Sequence, residues 1–210
     1  MTFQRKIFFS AIILAAGQSR RFGEQKILLP LGKSTVIENT VDNICKSKVN
    51  EVIVVSGYET DLLDELLKRR KTRIVFNKNY FVGIGSSIAC GVKFISEESN
   101  AIVIFLADQP LISSSIINKL LDSYTISNNS ILYPVYNNKK GHPVIFSVKY
   151  KIELMKLNGD RGAKKIIKKN PEDITEINVS TDEILKDIDT LEDYNSLSNI
   201  KKRTNYLGNV

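Results

Sequence analysis

Five short segments carry residue types that could act on phosphate groups. The first is Leu14-Ala15-Ala16-Gly17-Gln18-Ser19-Arg20-Arg21-Phe22-Gly23-Glu24-Gln25-Lys26, which follows an apolar run. Small residues at Ala15, Ala16 and Gly17 let a backbone approach a ligand, and successive N–H groups can cradle an anion. Arg21 and Lys26 could neutralise a triphosphate, with Ser19 between them and the small residues. Neither Gly17 nor Gly23 begins the G-x-x-x-x-G-K-[ST] pattern, so this is not a Walker loop. The plainer alternative is a surface turn with incidental charges. The second segment, Gly83-Ile84-Gly85-Ser86-Ser87, begins like a dinucleotide fingerprint but has Ile88 at the third glycine position, which argues against a Rossmann NAD site. It could cap a helix, or offer backbone and Ser87 contacts to a base or ribose.

The third segment, Asp108-Gln109-Pro110, ends the most apolar run in the chain. An aspartate there, beside phosphate ligands, is placed to hold Mg²⁺; a loop aspartate in a turn is the alternative. The fourth is Asp187-Ile188-Asp189-Thr190. Strand alternation would put both carboxylates on one face, so one of them could supply a second metal ligand. The fifth is a pair of polar turns, Gly141-His142-Pro143 and Gly159-Asp160-Arg161-Gly162-Ala163. His142 is the single histidine, and a positioning hydrogen-bonder is a commoner role for such a residue than an acid–base catalyst.

Composition narrows the chemistry further. One histidine excludes two-histidine zinc motifs, and two cysteines, Cys45 and Cys90, exclude four-cysteine sites. Any resident metal should be a hard cation on carboxylates. The 210 residues carry a net charge of +7, but Lys201, Lys202 and Arg203 fall in a last stretch with no acid. Basic runs such as Lys68-Arg69-Arg70-Lys71 lack interleaved aromatics and read as solvated surface. Nucleic-acid and membrane binding are therefore not expected.

These segments need elements to position them. Strands are predicted at Ile7–Leu14, Glu51–Ser56, Arg73–Phe76, Ala101–Ala107 and Ser130–Val135, several of them apolar at every position, which implies cover on both faces. Helices are predicted over 35–46, 61–70, 86–97 and 114–125, with a capping box at Thr35-x-x-Glu38 and an N-cap at Ser113. The alternation implies an α/β fold, with helices flanking a mostly parallel central sheet. After residue 136 a turn at 137–141 leads to a short strand at Pro143–Phe146. Two short helices flank the Gly159 turn, final strands cover about 174–188, and a helix begins near Leu191. One domain is expected over 1–200, with 137–188 forming an acceptor-binding part and 201–210 a loose basic tail. Residues 5–16 mimic a secretory signal, but the run is too short to span a membrane. A buried first strand, a cytoplasmic protein and reduced core cysteines are the expectation, with Cys45 on an apolar helical face.

Together the segments resemble the MobA-like nucleotidyltransferases, most closely the molybdenum cofactor cytidylyltransferase branch. The family pattern L-A-A-G-x-S-x-R-x-G-x-x-K-x-L-L-P runs here from Leu14 to Pro30. D-Q-P is Asp108–Pro110, G-H-P is Gly141–Pro143, G-D-x-G is Gly159–Gly162, and D-x-D-T-x-E-D is Asp187–Asp193. Phe22, Ile84 and Leu191 depart from the usual Met, Met and Pro. Ala16 stands where the guanylyl branch has glycine, which favours CTP.

The resemblance implies a Rossmann-like three-layer sandwich and Mg²⁺-dependent transfer of CMP from CTP to the terminal phosphate of molybdopterin or molybdenum cofactor. It also implies transient contact with a molybdenum hydroxylase. In it, Arg21, Lys26 and Asp108 are catalytic, and Asp108 and Asp189 hold the metal, with Asp187 in reserve. Leu14, Ala15, Ala16, Gly17, Ser19, Ser56, Asn77, Gly83 and Ser87 join Arg21 and Lys26 around the nucleotide. Gln109, Gly141, His142, Pro143, Asp160 and Arg161 face the acceptor. The competing readings are the same transfer to a sugar or polyol phosphate or with GTP, a non-catalytic nucleotide-binding regulator or chaperone, and a nucleic-acid binder.

Overall fold

The computed structural model describes residues 7–17, 25–58 and 60–198. Ser19 and Arg21, and the tail over 201–210, lie outside the described residues. The chain builds β1 (Phe9–Leu14), β2 (Pro30–Leu31), β3 (Ser34–Thr35), α1 (Val36–Cys45), β4 (Glu51–Ser56), α2 (Thr60–Leu67) and β5 (Arg73–Phe76). Next come α3 (Ile84–Val92), β6 (Ala101–Leu106), α4 (Ser114–Ile126), β7 (Ile131–Tyr136) and β8 (Lys139–Lys140). The last elements named here are β9 (Val144–Ser147), α5 (Lys151–Met155), α6 (Lys164–Lys169) and β10 (Ile174–Asn178). Residues 191–198 are helical as well.

The main sheet runs β10-β7-β9-β6-β1-β4-β5, with β8 paired to β7. The β5-β4-β1-β6 half is wholly parallel. β9 lies antiparallel between β6 and β7, so the α/β expectation of a mostly parallel sheet holds. The chain leaves β1 for β4 and β5 on one side, then returns to β6 on the other. β1 and β6 therefore flank the point where strand order reverses, and ligands of open α/β sheets bind outside the carboxyl ends at such a point.

Continuous apolar strands are what two covered faces require. Ala11 and Ile13 of β1 enter one core with Ile37 and Val41 of α1, Leu63 of α2, and Leu120 of α4. Ile12 points the other way, into a second core with Ile88 and Val92 of α3, Leu154 of α5, and Ile166 of α6. The capping box at α1 forms as predicted: Glu38 N–H donates to Thr35 Oγ1, and Thr35 N–H donates to the Glu38 carboxylate. The turn after β7 has Asn137 and Asn138 at positive φ (47° and 60°), a conformation asparagine tolerates, and it returns the chain as β8.

Three expectations need correction. The final strands predicted over 174–188 reduce to β10, because the edge of the sheet is complete at Asn178 and the chain leaves it through a helical turn at Asp182–Leu185. Helix α3 starts at Ile84 and ends at Val92, ahead of the predicted span. Cys45 is exposed and Cys90 half-buried: the α1 stripe that reaches the core is Val36, Ile37, Val41 and Ile44, which turns the terminal Cys45 to solvent.

α3 crosses β1 and β4 at very close range. A Cβ on Gly91 would lie 2.6 Å from Ile12 Cγ2 and 2.8 Å from Val55 Cγ2. Gly91→Ala is expected to destabilise the fold by about 1–3 kcal/mol through overpacking, read as a lowered thermal midpoint. An unchanged midpoint would show that this approach is not tight.

Candidate active site

The site grows from the register of β1 on β6. Leu14 pairs with Leu106, so the loops at Ala15–Gly17 and Ala107–Asp108 leave the sheet side by side. Ala107 N–H donates to Leu14 O at 3.2 Å, and Ala15 N–H to Val55 O at 2.9 Å. Ala15 and Ala16 are buried, and Gly17 is exposed, with open space where a Cβ would stand. The Gln25 amide donates to Gly17 O at 3.0 Å, joining the two ends of the 18–24 segment that carries Ser19 and Arg21. Lys26 opens a helical turn whose Ile27 is buried in the core.

Lys26 reaches across this crevice into a cluster of carboxylates. Its Nζ stands 2.6 Å from Asp108 Oδ2 and 2.9 Å from Asp189 Oδ1. Asp187 joins them, and carboxylate oxygens of Asp108, Asp187 and Asp189 all lie within 4.8 Å of one another. Burial of Lys26 opposes its charge, but Asp108 and then Asp189 outweigh it and hold the ammonium above the ordinary lysine value. Burial pushes the Asp187 carboxyl up, and the neighbouring charges of Asp189 and Asp108 add to that. Three carboxylates converging at the carboxyl end of β6 form an all-oxygen donor set, the kind a hard divalent cation takes.

Strand alternation is not what brings Asp187 and Asp189 here. Ile188 between them is fully buried, in a small core with Leu31, Val36 and Leu197, and its N–H donates to Asp108 O at 3.2 Å. Behind it, Asp193 accepts from Thr190 N–H and Oγ1 at 2.8 and 2.7 Å. Tyr194 Oη donates to Pro30 O, which ties the C-terminal helix to the β2–β3 hairpin. The two aspartates are thus set by a buried anchor and a helix cap.

The opposite wall comes from two turns that meet. Gly85 N–H donates to Gly159 O at 2.8 Å. Gly83 has φ 122°, and a Cβ on it would stand 2.3 Å from Asp160 Oδ1. Only glycine fits at residue 83 on both counts. Between the walls is a cavity of about 580 Å³ lined by the Leu14–Gly17 loop, Lys26, Asp108 and Asp189, and by Gly83, Ser87 and Asp160.

Other predicted residues stand outside this wall. Ser56 is fully buried, and its hydroxyl donates to Val75 O. Asn77 is buried and donates to the Ser86 and Ser87 hydroxyls at 2.9 and 3.1 Å, so it orients that loop. Arg161 is exposed and follows the cavity-lining Asp160 in sequence. Gln109 is buried, with Oε1 unpaired among the described residues. Gly141 packs on Ile184 too closely for a side chain, its added Cβ falling 2.6 Å from Ile184 Cδ1, and Pro143 is buried next to it. His142 hydrogen-bonds the Ile104 carbonyl, which leaves Nδ1 as a buried lone-pair acceptor with no partner among the described residues. Tyr80 and Phe81 line the cavity without having been singled out in the sequence. Phe81 is 68% exposed at its mouth. Two adjacent aromatics ahead of Gly83, in a loop at the carboxyl end of a strand, were the available signal.

The profile of the MobA-like NTP transferase domain matches residues 11–174. The chain belongs to this family. The molybdenum cofactor cytidylyltransferase of Escherichia coli K12 is 25% identical over 186 residues, covering 87% of this chain and 92% of that one. Nicotine blue oxidoreductase of Paenarthrobacter nicotinovorans is 27% identical over 190 residues, covering 87% and 93%. Rv0371c of Mycobacterium tuberculosis H37Rv superposes with a TM-score of 0.82 at 25% identity, covering 92% of this chain and 98% of that one, and has also been solved with manganese. Membership of the MobA-like family makes the chain a nucleotidyltransferase-family protein. No helix among the described residues is long and apolar enough to cross a membrane.

Burial holds the His142 imidazole below its ordinary value. The unfolded chain then binds this proton first as pH falls, so the contribution is complete above about pH 6.5 and is lost on going down through the folded value. Thermal midpoints are expected to fall from pH 7.5 to 5.5, with a His142 share of at most about 1.4 kcal/mol per pH unit. His142→Gln should flatten that profile. Parallel profiles for the two proteins would contradict it.

Proposed function

We propose that the chain transfers a cytidylyl group from CTP to the terminal phosphate of molybdopterin or its metallated form, with release of pyrophosphate, in the cytoplasm. The observation that carries the reading is the convergence of Lys26, Asp108, Asp187 and Asp189 beside the Ala15-Ala16-Gly17 backbone, at the point where strand order reverses. That is the equipment for holding a divalent cation and an ammonium against a triphosphate, and the E. coli relative supports the choice of nucleotide and acceptor.

The attacking phosphate oxygen is already ionised, so no side chain need remove a proton. The reaction instead needs in-line positioning and charge neutralisation. Asp108 and Asp189, with Asp187, would hold Mg²⁺. When bound, the cation supplies Lewis-acid polarisation of phosphate oxygens and a template for the two reactants. The Leu14–Gly17 backbone would carry the nucleotide, with Ser19 at its phosphates. Arg21 and Lys26 would hold the β- and γ-phosphates and stabilise the leaving pyrophosphate. Gly83 and Ser87, oriented by Asn77, would lie near the base or ribose. Asp160 and Arg161 would meet the acceptor, with Gln109 and the Gly141-His142-Pro143 turn shaping that side from beneath. The product would pass to a molybdenum hydroxylase in transient contact.

A pyrophosphate-release assay tests this by crossing CTP, GTP, ATP and UTP with molybdopterin, with and without Mg²⁺. Release should require CTP, molybdopterin and the cation together. Release with GTP alone would overturn the base assignment. Release only with a sugar or polyol phosphate would overturn the acceptor. Asp108→Ala should lower turnover at least about a hundredfold, the loss seen when one electrostatic stabiliser of a transition state is removed. Turnover within a few-fold of wild type would remove Asp108 from the mechanism.

A further inference from the structure

The Lys26 ammonium sits where a cation bound by the carboxylates would have to sit. It pairs with two of the three converging carboxylates, Asp108 at 2.6 Å and Asp189 at 2.9 Å. Those same groups offer oxygens to a single centre, together with Asp187. The Lys26 and Asp108 side chains are 16% and 17% exposed, so solvent screens their charges only in part. An ammonium and a divalent cation cannot share these oxygens at contact distance, because both need the same lone pairs and they repel one another.

We propose that Lys26 is a place-holding counter-ion, displaced from Asp108 and Asp189 when the divalent cation loads. This rests on the phosphate-binding reading above and extends it. Without nucleotide, the cation must displace an ammonium already paired to Asp108 and Asp189. With a triphosphate in the cavity, the ammonium exchanges carboxylates for phosphate oxygens and the carboxylates are released to the metal. Cation and nucleotide therefore enter as a coupled pair, each raising the affinity of the other by the same factor. The consequence is that divalent cation alone binds weakly.

The test is Mn²⁺ binding, read from the free-ion EPR signal, for the wild-type protein and for Lys26→Met, each with and without CTP. Methionine keeps the length of the stem and removes the charge. Wild type should bind Mn²⁺ weakly alone and at least tenfold more tightly with CTP. Lys26→Met should bind Mn²⁺ alone at least tenfold more tightly than wild type, and CTP should then add at most a few-fold. Lys26→Arg, which keeps the charge, should stay weak without nucleotide. Equal or weaker Mn²⁺ binding by a folded Lys26→Met protein, checked by its thermal midpoint, overturns the place-holder. Absence of Mn²⁺ binding in every protein, with CTP included, overturns the metal reading itself and the place-holder with it.

Discussion

The ion pair between Lys26 and Asp108 is the interaction on which the rest of the site depends. It joins the end of the first βα loop to the end of β6, two segments 82 residues apart, across the crevice where the sheet reverses its strand order. Asp189 adds a third segment from near the C-terminus. Concentrating carboxylates in one place is unfavourable in the absence of a cation. The ammonium relieves that repulsion in the ligand-free protein, which is why a lysine can be held there with its charge reinforced despite burial.

Much of the fold serves to hold those three segments still. β6 is the strand with neighbours on both edges that belong to different halves of the sheet: parallel β1 on one side and antiparallel β9 on the other. Its buried residues fix the position of Asp108 to within the play of one loop residue. The C-terminal strap is held by Ile188 and Leu197 in a small core of their own and by the Thr190–Asp193 cap, so the two aspartates flanking Ile188 have little freedom. On the opposite wall, glycines at residues 83 and 85 let the Gly159 turn close to hydrogen-bond distance.

The parallel half of the sheet was legible in the sequence because strands covered on both faces are apolar along their length, as in AIVIFLA and in the VIVV centre of β4. Helices α1 and α4 were legible from periodicity and their caps. The gathering of Asp187 and Asp189 with Asp108 was anticipated for a different reason, since both aspartates were taken to share a strand face. The pairing that would make a strand is absent there, and Ile188 reaches its pocket through contacts 150 residues away in sequence. The two-residue strands β2 and β3 carry too little pattern to be read. Ser56 and Asn77 were placed near the nucleotide, yet their polar atoms are spent on backbone and on neighbouring hydroxyls, a demand visible only once the loops are packed. Tyr80 and Phe81 carry no periodicity in the sequence, and only the packed loop places them on the cavity.

The central claim is that one cluster of charges, Lys26 with Asp108, Asp187 and Asp189, exchanges its internal pairing for a metal and a triphosphate. The most direct measurement is a crystal structure with Mn²⁺ and CTP, using the anomalous signal of manganese to locate the ion. The account predicts one strong peak bound by Asp108 and Asp189, with the Lys26 ammonium moved from those carboxylates onto phosphate oxygens. A manganese peak away from these aspartates, or Lys26 still paired to Asp108 with both ligands bound, would contradict it.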